Sequence, residues 1–392
     1  MEEAPVLPLP DAFLKFLREN GIDPSIYTAA ESIPRYIRLK PGFEEQIEEI
    51  GAELDLDLLK VEWLPNIYSL PPHVQIASSK SYREGKIYGI DAASGAAVVA
   101  LGIMEGDHVL DLCAAPGAKL CMMLDQLGSS GSVTGVDVAS HRLAACRTML
   151  QKYALGDRCR LFVADGTKFS LLPVRTQSEN EECESTVDED SDVFKEWTSK
   201  RSYKDRKKSS RERKGSVSPL PSGSKDPELI FYGKNSGVIG LNKSQFYQPA
   251  SDGAALSCGY DKVLVDAECT HDGSVKHIQK YENWGWTTLQ RRVLDAERTD
   301  DLIVLQHRLL CNGFRLLKLG GSLVYSTCSL TVSQNEDVIK QFLVENASAE
   351  LQDIEVAKNW PCKDGKIPMT LRFDPLTSQT SGLFVAKIKK LL

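Results

Sequence analysis

The chain has 392 residues, of which 42% are hydrophobic and 26% charged, and its formal net charge is −7 at pH 7. This length predicts two domains, and the hydrophobic content predicts a substantial core. The net charge excludes a uniformly basic nucleic-acid-binding protein while leaving room for a local basic groove, and no apolar run approaches the ~20 residues of a membrane span.

The first 80 residues predict a small α/β unit. Helical spacing and strand-like alternation indicate a helix, a strand, a second helix and a second strand, at residues 11–20, 35–40, 43–54 and 59–63. The polar positions of this unit include four basic residues, Arg35, Arg38, Lys40 and Lys60. For any single one of them, a solvated face is a better explanation than contact with RNA.

A strand, a tight turn and a helix are predicted in succession between residues 108 and 127. The turn reads Asp111-Leu112-Cys113-Ala114-Ala115-Pro116-Gly117-Ala118-Lys119. Its small residues let a ligand approach the backbone, and the helix start offers free N–H groups. The next strand ends at Asp137, where a carboxylate can accept hydrogen bonds from a ribose, ~20 residues after the turn. From the glycines alone, a structural turn without a ligand is an equally good explanation.

Strands and helices continue to alternate towards the C-terminus. Further strands are predicted at residues 160–164, 260–266, 323–329 and 382–388, and further helices at 94–101, 142–153, 287–319 and 334–346. This alternation is typical of an α/β fold with a mostly parallel, doubly wound sheet.

The pattern breaks at about residues 173–257. This stretch is first acidic and Ser-rich, then densely basic, then rich in Ser, Pro and Gly. Such a composition predicts a largely disordered insertion, with local order near Leu229–Tyr247. For the basic run Lys204–Lys214, a solvated linker is slightly favoured over a nuclear-import or RNA-binding patch.

Ligands of doubly wound sheets bind beyond the carboxyl ends of the strands. Any one polar residue at such an end is more easily explained as structural, but several together favour a site. Six lie near predicted strand ends: Asp111, Asp137, Asp165, Asp266, Cys269 and Cys328. The acids suit an adenosyl cofactor, and a cysteine beside a cofactor pocket can act as a nucleophile if its thiolate is favoured. Thiolate addition at C6 of a cytosine makes C5 able to accept a methyl group, and a second cysteine can assist release.

The motifs Asp111–Lys119, Asp266-Ala-Glu-Cys269 and Tyr325-Ser-Thr-Cys328-Ser329 resemble those of the RNA cytosine-C5 methyltransferases of the NOL1/NOP2/Sun family. The resemblance covers about residues 80–172 and 258–388, with a looser match before them. It implies a Rossmann-like class I methyltransferase fold with a mostly parallel seven-stranded sheet. In this reading, residues 1–80 form an RNA-contacting unit and residues 81–392 form the methyltransferase domain.

The resemblance also implies roles for individual residues. Cys328 is the expected nucleophile and Cys269 the releasing cysteine, and Asp266 is expected to face the cytosine amino group. Arg142 is expected to help hold the acids on the cofactor side. The contacts expected with S-adenosylmethionine are Cys113, Ala114, Ala115, Pro116, Gly117, Ala118, Lys119, Asp137, Arg142, Asp165 and Asp266.

The sequence departs from the family pattern at three places. Ala118 stands where the family usually has a second glycine, and Gly89-Ile90-Asp91 stands near the position of a usual glutamine-aspartate pair. Glu268 replaces the proline that usually precedes the releasing cysteine. A glutamate frees the backbone there, and its negative charge is expected to disfavour the Cys269 thiolate.

Taken together, the sequence predicts an S-adenosylmethionine-dependent RNA cytosine-C5 methyltransferase, with tRNA favoured over rRNA as the substrate. The alternative is a non-catalytic RNA-binding relative that acts in ribosome assembly, whereas a small-molecule methyltransferase leaves the two cysteines at strand ends unexplained. The ten cysteines form no Cys-x-x-Cys pair, so neither a metal site nor a disulfide framework is expected. The acidic N-terminus lacks a signal sequence. We therefore expect an intracellular monomer without membrane contact, in the cytoplasm or nucleus, with the mitochondrion left open.

Overall fold

The computed structural model describes residues 9–28, 32–175, 193–196, 226–249 and 251–391. Within these residues the strands are β1 (Arg35–Leu39), β2 (Leu59–Lys60), β3 (Ile67–Leu70), β4 (Ile87–Gly89), β5 (His108–Asp111), β6 (Ser132–Asp137), β7 (Cys159–Val163), β8 (Glu228–Tyr232), β9 (Tyr260–Asp266), β10 (Leu317–Thr327), β11 (Ala349–Gln352), β12 (Lys363–Asp364), β13 (Thr370–Phe373) and β14 (Leu383–Lys390).

The helices of the described residues lie between these strands. They are α1 (Asp11–Asn20), α2 (Ser25–Thr28), α3 (Ile47–Leu54), α4 (Lys80–Arg83), α5 (Ala92–Leu101), α6 (Ala118–Leu127), α7 (Ser140–Lys152), α8 (Lys243–Phe246), α9 (Asp252–Cys258), α10 (Val275–Trp284), α11 (Trp286–Leu289), α12 (Ala296–Leu316), α13 (Glu336–Glu345) and α14 (Pro375–Ser378). Short 3₁₀ segments lie at Glu44–Gln46, Gly156–Arg158 and Glu355–Asn359, and a π-helical segment at Gln290–Leu294 joins α11 to α12. None of the described helices combines the length and the apolar character needed to cross a bilayer.

A large sheet organises the molecule, with strand order β12-β13-β14-β10-β9-β5-β6-β7-β8 and β11 paired with β14. Its five central strands, β10, β9, β5, β6 and β7, run parallel to one another. Antiparallel strands close both edges, with β8 beside β7 and β14 beside β10. This confirms the predicted Rossmann-like α/β fold. The strand number differs from the predicted seven, because the described residues form ten strands in this sheet.

The central strands are buried because helices cover both faces of the sheet. All six residues of β6 are buried, as is typical of a parallel strand that helices cover on both faces. Helix α5 is rich in alanine and almost wholly buried, so it packs closely against its neighbours. The parallel direction of β5, β6, β7, β9 and β10 brings their carboxyl ends to one edge of the sheet.

The N-terminal unit is a separate four-stranded sheet of order β2-β3-β1-β4. Strand β4 pairs with β1 and extends this sheet to Gly89, beyond the boundary expected at residue 80. Helix α1 packs against α10, where Phe13 and Leu17 share a hydrophobic cluster with Val275 and Ile278. A buried ion pair of 2.9 Å between Arg38 and Asp125 joins the small sheet to α6. Arg38 is therefore structural here, and its predicted solvated position is corrected.

Part of the predicted insertion at residues 173–257 is ordered, and this includes the order expected near Leu229–Tyr247. Strand β8 pairs with β7, and Phe194 is only 8% exposed because its ring packs against Tyr232 and Phe246. These residues belong to the folded domain, since they extend the sheet and its aromatic core. Residues 176–192 and 197–225, including Lys204–Lys214, lie outside the described residues.

Candidate active site

The turn between β5 and α6 forms one wall of the site. Gly117 precedes α6 with φ 113° and no side-chain cap. A Cβ at this position would come within 3.1 Å of the Cys146 backbone, so the close contact between the turn and α7 requires glycine. The turn is fixed to the sheet by the Ala114 amide, which donates to the Val136 carbonyl at 3.0 Å. Backbone groups and small side chains are thus presented to the space in front of the strands.

A cavity of about 360 Å³ opens in front of this turn. The N-terminal unit and its connection to α5 supply the opposite wall, with Arg35, Tyr36 and Asp91 among the lining residues. Asp91 also caps α5 through the Ala93 amide. The cavity is lined by Pro34, Arg35, Tyr36, Gly89, Ile90, Asp91, Ser94, Asp111, Cys113, Ala114, Ala115, Pro116, Gly117, Ala118, Lys119, Asp266 and Lys276.

Two carboxylates stand at the floor of the cavity. Burial raises the pKa of Asp111 to about 7, although its hydrogen bond from the Cys113 amide acts in the opposite direction. Asp266 accepts hydrogen bonds from Lys119 and from the Ser326 hydroxyl, each at 2.7 Å. Asp266 is therefore held in one orientation at the end of β9, whereas Asp111 offers a buried acid to a cationic ligand.

Three other predicted cofactor residues occupy positions behind or beyond the cavity lining. Asp137 is 5% exposed, and its carboxylate accepts hydrogen bonds from the amides of Ala115 and Ala139 at 3.2 and 2.8 Å. The Arg142 guanidinium donates to the Ala115 carbonyl at 2.7 Å and lies 3.9 Å from the Asp137 carboxylate. Asp165 is exposed and holds the turn at Thr167. Asp137 and Arg142 thus contact the turn from behind.

Two cysteines meet at the ends of β9 and β10. The sulfur atoms of Cys269 and Cys328 lie 3.4 Å apart. Cys269 is fully buried, whereas Cys328 is partly exposed. Cys328 is therefore the more accessible of the two cysteines.

His271 completes this cluster. Its Nδ1 atom lies 3.0 Å from the Cys328 sulfur and 3.6 Å from the Cys269 sulfur. Burial favours neutral thiols, but the hydrogen bond from Cys328 and the His271 charge outweigh it and hold the pKa of Cys269 well below the usual thiol value. The same hydrogen bond, together with burial, raises the pKa of Cys328. The two thiols therefore titrate as a coupled pair, in which the pKa for loss of the first proton is low and the pKa for loss of the second is high.

A buried polar network supports the cysteine loops. The Gln334 side chain accepts a hydrogen bond from the Thr270 amide at 3.1 Å and donates to the hydroxyls of Thr270 and Thr331. Asp272 accepts from the Leu330 amide at 2.7 Å. These bonds join the segment after β9 to the segment after β10. The distance between the two sulfurs is therefore set by side chains that are fixed by their own hydrogen bonds.

Glu268, which precedes Cys269, has a charged partner. Its carboxylate is 47% exposed and pairs with Arg298, 32% exposed, at 3.1 Å. The pKa of Cys269 is lowered although this glutamate precedes it in the chain. That Glu268 disfavours the Cys269 thiolate stays a prediction, and we expect the ion pair with Arg298 to weaken the effect.

Sequence reasoning missed several residues of this site. His271 follows Cys269 by two positions, and that Cys-x-His spacing was a usable signal. Gln334 and the cavity residues Tyr36 and Lys276 gave no local signal, because only the tertiary fold brings them near the strand ends.

The fold and the edge site define a Rossmann-like methyltransferase class. The family model described as "16S rRNA methyltransferase RsmB/F" matches residues 98–178 and 235–389. The chain belongs to this family, which confirms the resemblance identified from its motifs.

Two curated relatives match longer stretches of the chain than the family model does. The chain is 27% identical over 270 residues to a mitochondrial tRNA (cytosine(34)-C(5))-methyltransferase of Danio rerio, covering 68% of this chain and 49% of the relative. It is 23% identical over 380 residues to a 28S rRNA (cytosine-C(5))-methyltransferase of Mus musculus, covering 96% of this chain and 62% of the relative. The chain spans about half the length of several of the curated relatives it matches.

Solved structures support the fold. NSun6 from Pyrococcus horikoshii with SFG matches with a TM-score of 0.64 at 15% identity, covering 98% of each chain. A methyltransferase homologue from the same organism matches with a TM-score of 0.59 at 21% identity, covering 98% of this chain and 100% of that one. At these identities the similarity shows the fold alone.

Proposed function

We propose that this chain transfers a methyl group from S-adenosylmethionine to C5 of cytosine in RNA. The observation that carries this proposal is the pair of sulfurs, 3.4 Å apart, at the end of the sheet that also bears Asp266 and the cavity. A cofactor cavity alone would serve many methyltransferases, whereas cytosine C5 needs a nucleophile at C6 before it can react. Relatives with the names reported above support the same activity.

The residues around the cavity fit S-adenosylmethionine. Its volume of about 360 Å³ lies within the usual range of small-molecule sites, and Asp111 supplies a buried acid for a cationic tail. The backbone and side chains of Cys113–Lys119 would hold the cofactor, with Asp266 at the reacting end. Asp137 and Arg142 would act by fixing Ala115, and Asp165 stays a predicted contact from the family motif. When bound, the cofactor would supply an electrophilic methyl group.

The side chains at the strand ends would act in sequence on the cytosine. The Cys328 sulfur bonds to C6, and the electron pair of the C5–C6 double bond makes C5 nucleophilic. Asp266, held by Lys119 and Ser326, faces the amino group and orients the ring. After methylation, C5 loses its proton, the bond between sulfur and C6 breaks, and Cys269 assists this release.

The proposed substrate is tRNA in preference to rRNA, and the proposed active species is a monomer whose N-terminal unit contacts the RNA. Relatives of both substrate classes support RNA as the partner. The prediction of tRNA rests on the sequence resemblance, and the expected cellular compartment stays a prediction.

The test is methyl transfer from isotopically labelled S-adenosylmethionine to separate pools of unmodified tRNA and rRNA. Mass spectrometry of digested nucleosides should find labelled 5-methylcytidine, with more from the tRNA pool. Label in another nucleoside would overturn the cytosine assignment. Cofactor binding by calorimetry without labelling of either pool would favour the non-catalytic alternative, and label mainly in rRNA would reverse the substrate preference.

A further inference from the structure

The His271 ring is partly buried beside the two cysteines. Its Nδ1 atom faces both sulfurs, at 3.0 Å from Cys328 and 3.6 Å from Cys269. The residue has φ 57°, a left-handed conformation that non-glycine residues rarely adopt. This backbone conformation turns the side chain back towards the cysteine two positions earlier, and such outliers occur preferentially at functional sites.

The neighbouring backbone holds His271 in this conformation. The Gly273 amide donates to the Cys328 carbonyl at 2.9 Å, and the Ser274 amide donates to the His271 carbonyl at 3.0 Å. A Cβ on Gly273 would lie 2.6 Å from the Cys328 carbonyl oxygen, so glycine permits this approach. The histidine loop and the Cys328 loop therefore form one rigid unit.

The charges around the ring favour its protonated form. The neighbouring Cys269 thiolate outweighs burial and raises the pKa of His271 to about 9. The ring of His277 on α10 lies 5.4 Å away, and its pKa is lowered to about 4 by burial and by His271, so it stays neutral near pH 7. The other charged or titratable groups that interact electrostatically with His271 and the two cysteines include Asp266, Glu268, Asp272, His277, Lys119 and Tyr325.

We propose that His271 is an acid–base residue of this site, which takes one proton from the thiol pair and so keeps a thiolate available for attack. The inference rests on the proposed cytosine methylation. Before RNA binds, the neutral imidazole and two thiols become an imidazolium, a thiolate and a thiol, with no proton gained or lost. The remaining thiol proton passes between the sulfurs, which leaves Cys328 as the attacking thiolate.

The later steps return the cluster to its starting state. When the Cys328 sulfur bonds to C6, the electron pair comes from sulfur and the imidazolium retains its proton. When that bond breaks, the pair returns to sulfur and restores the thiolate beside the imidazolium. The proton lost from C5 leaves to solvent, so the cluster has the same number of protons before and after each turnover.

The first test needs no RNA. Iodoacetamide labelling of the full chain is followed between pH 5 and pH 10, and mass spectrometry of the Cys328 peptide gives the rate at each pH. Because asparagine tolerates positive φ, His271→Asn should keep the loop conformation while losing the titrating group. We expect labelling of Cys328 at pH 6.5 to fall about tenfold or more in this variant. Exposed Cys258 serves as the internal reference and His307→Gln as the control variant.

A second variant separates acid–base action from a structural role. Glycine adopts positive φ without strain, so His271→Gly should fold, lose low-pH labelling and recover part of it when free imidazole is added. Equal labelling of Cys328 in the unmodified protein and in His271→Asn at every pH would overturn the inference, as would labelling lost in His271→Gly that imidazole does not restore.

The RNA assay keeps the two proposals apart. With unmodified protein active, His271→Asn should lower the rate of methyl transfer by roughly 10²-fold and move the acid limb of the pH–rate profile upwards. Labelling of Cys328 that depends on His271, without RNA methylation by any form of the protein, would contradict the proposed function but support the acid–base role of His271. RNA methylation by His271→Asn with an unchanged pH–rate profile would contradict only the role proposed for His271.

Discussion

The two halves of the site are built from different parts of the chain. On the cofactor side, backbone amides and small side chains between β5 and α6 form the wall, and buried acids hold them from behind. On the thiol side, the reacting atoms belong to side chains, and Gln334, Asp272 and Thr270 set their positions. The first half therefore depends on local chain geometry, whereas the second depends on contacts between segments far apart in sequence.

The largest expected effect distinguishes the two sulfurs on the thiol side. Cys328→Ala should abolish methyl transfer and form no covalent protein–RNA species, because no sulfur remains to bond to C6. Cys269→Ala should attack and transfer the methyl group but accumulate an adduct, because its release is impaired. Denaturing gels with labelled RNA measure this. An adduct in Cys328→Ala but not in Cys269→Ala would reverse the two roles.

The next effect concerns stability on the thiol side. Gln334→Ala removes a fully buried side chain and leaves the Thr270 amide without its acceptor, so unfolding free energy should fall by about 3 kcal/mol. Urea denaturation measures the change. Exposed Gln341 on α13 gives a matched control, for which the Ala variant should change little. Equal stability of the two variants would show that the network is not needed to hold the loops.

A smaller effect is expected on the cofactor side. Asp137→Ala removes the acceptor of the Ala115 and Ala139 amides, so the affinity for S-adenosylmethionine should fall by about ten- to a hundredfold without loss of the sheet. Calorimetry measures the affinity and circular dichroism checks the fold. Asp165→Ala, measured beside it, shows whether the exposed acid contributes. Unchanged binding by Asp137→Ala would remove this residue from the site.

The ion pair between Glu268 and Arg298 is expected to have a smaller effect on stability and on thiol reactivity. Glu268→Gln removes a charge that pairs with Arg298 at a largely solvated position, where such pairs contribute about 0–1 kcal/mol. Melting temperature and the pH profile of Cys328 labelling should both change little. A marked increase in labelling at low pH would show that Glu268 opposes the thiolate after all.

The smallest effect is expected from the segment between Glu196 and Asp226. Its composition predicts that replacing residues 197–225 by a short Gly–Ser linker leaves the melting temperature and cofactor binding unchanged. Phe194→Ala is the contrasting variant, because its buried ring packs against Tyr232 and Phe246 and its loss should destabilise by about 3 kcal/mol. A large loss of stability on linker replacement would contradict the prediction.

The turn of the cofactor half could be predicted from sequence because its determinants are consecutive, whereas the lining residues Tyr36 and Lys276 could not. The apolar run at β5, the small residues of the turn and the start of α6 lie within Asp111–Lys119, and strand alternation places the acids and cysteines at one edge. The alternation of strands and helices also predicted the parallel sheet, because parallel neighbours are joined by crossover helices. Domain boundaries are predicted less accurately where strand pairing decides them, as for β4, which pairs with β1 and joins the small sheet beyond residue 80.

The sequence by itself determined the fold class, the turn and the two cysteines at strand ends. Only the tertiary structure decided how those cysteines are arranged. The 3.4 Å between the sulfurs, the approach of His271 and the pairing of Glu268 with Arg298 depend on side chains separated by tens of residues and on backbone conformations that adjacency does not specify. Strand periodicity sets where residues lie along the sheet edge, whereas packing and hydrogen bonding between segments set which atoms meet.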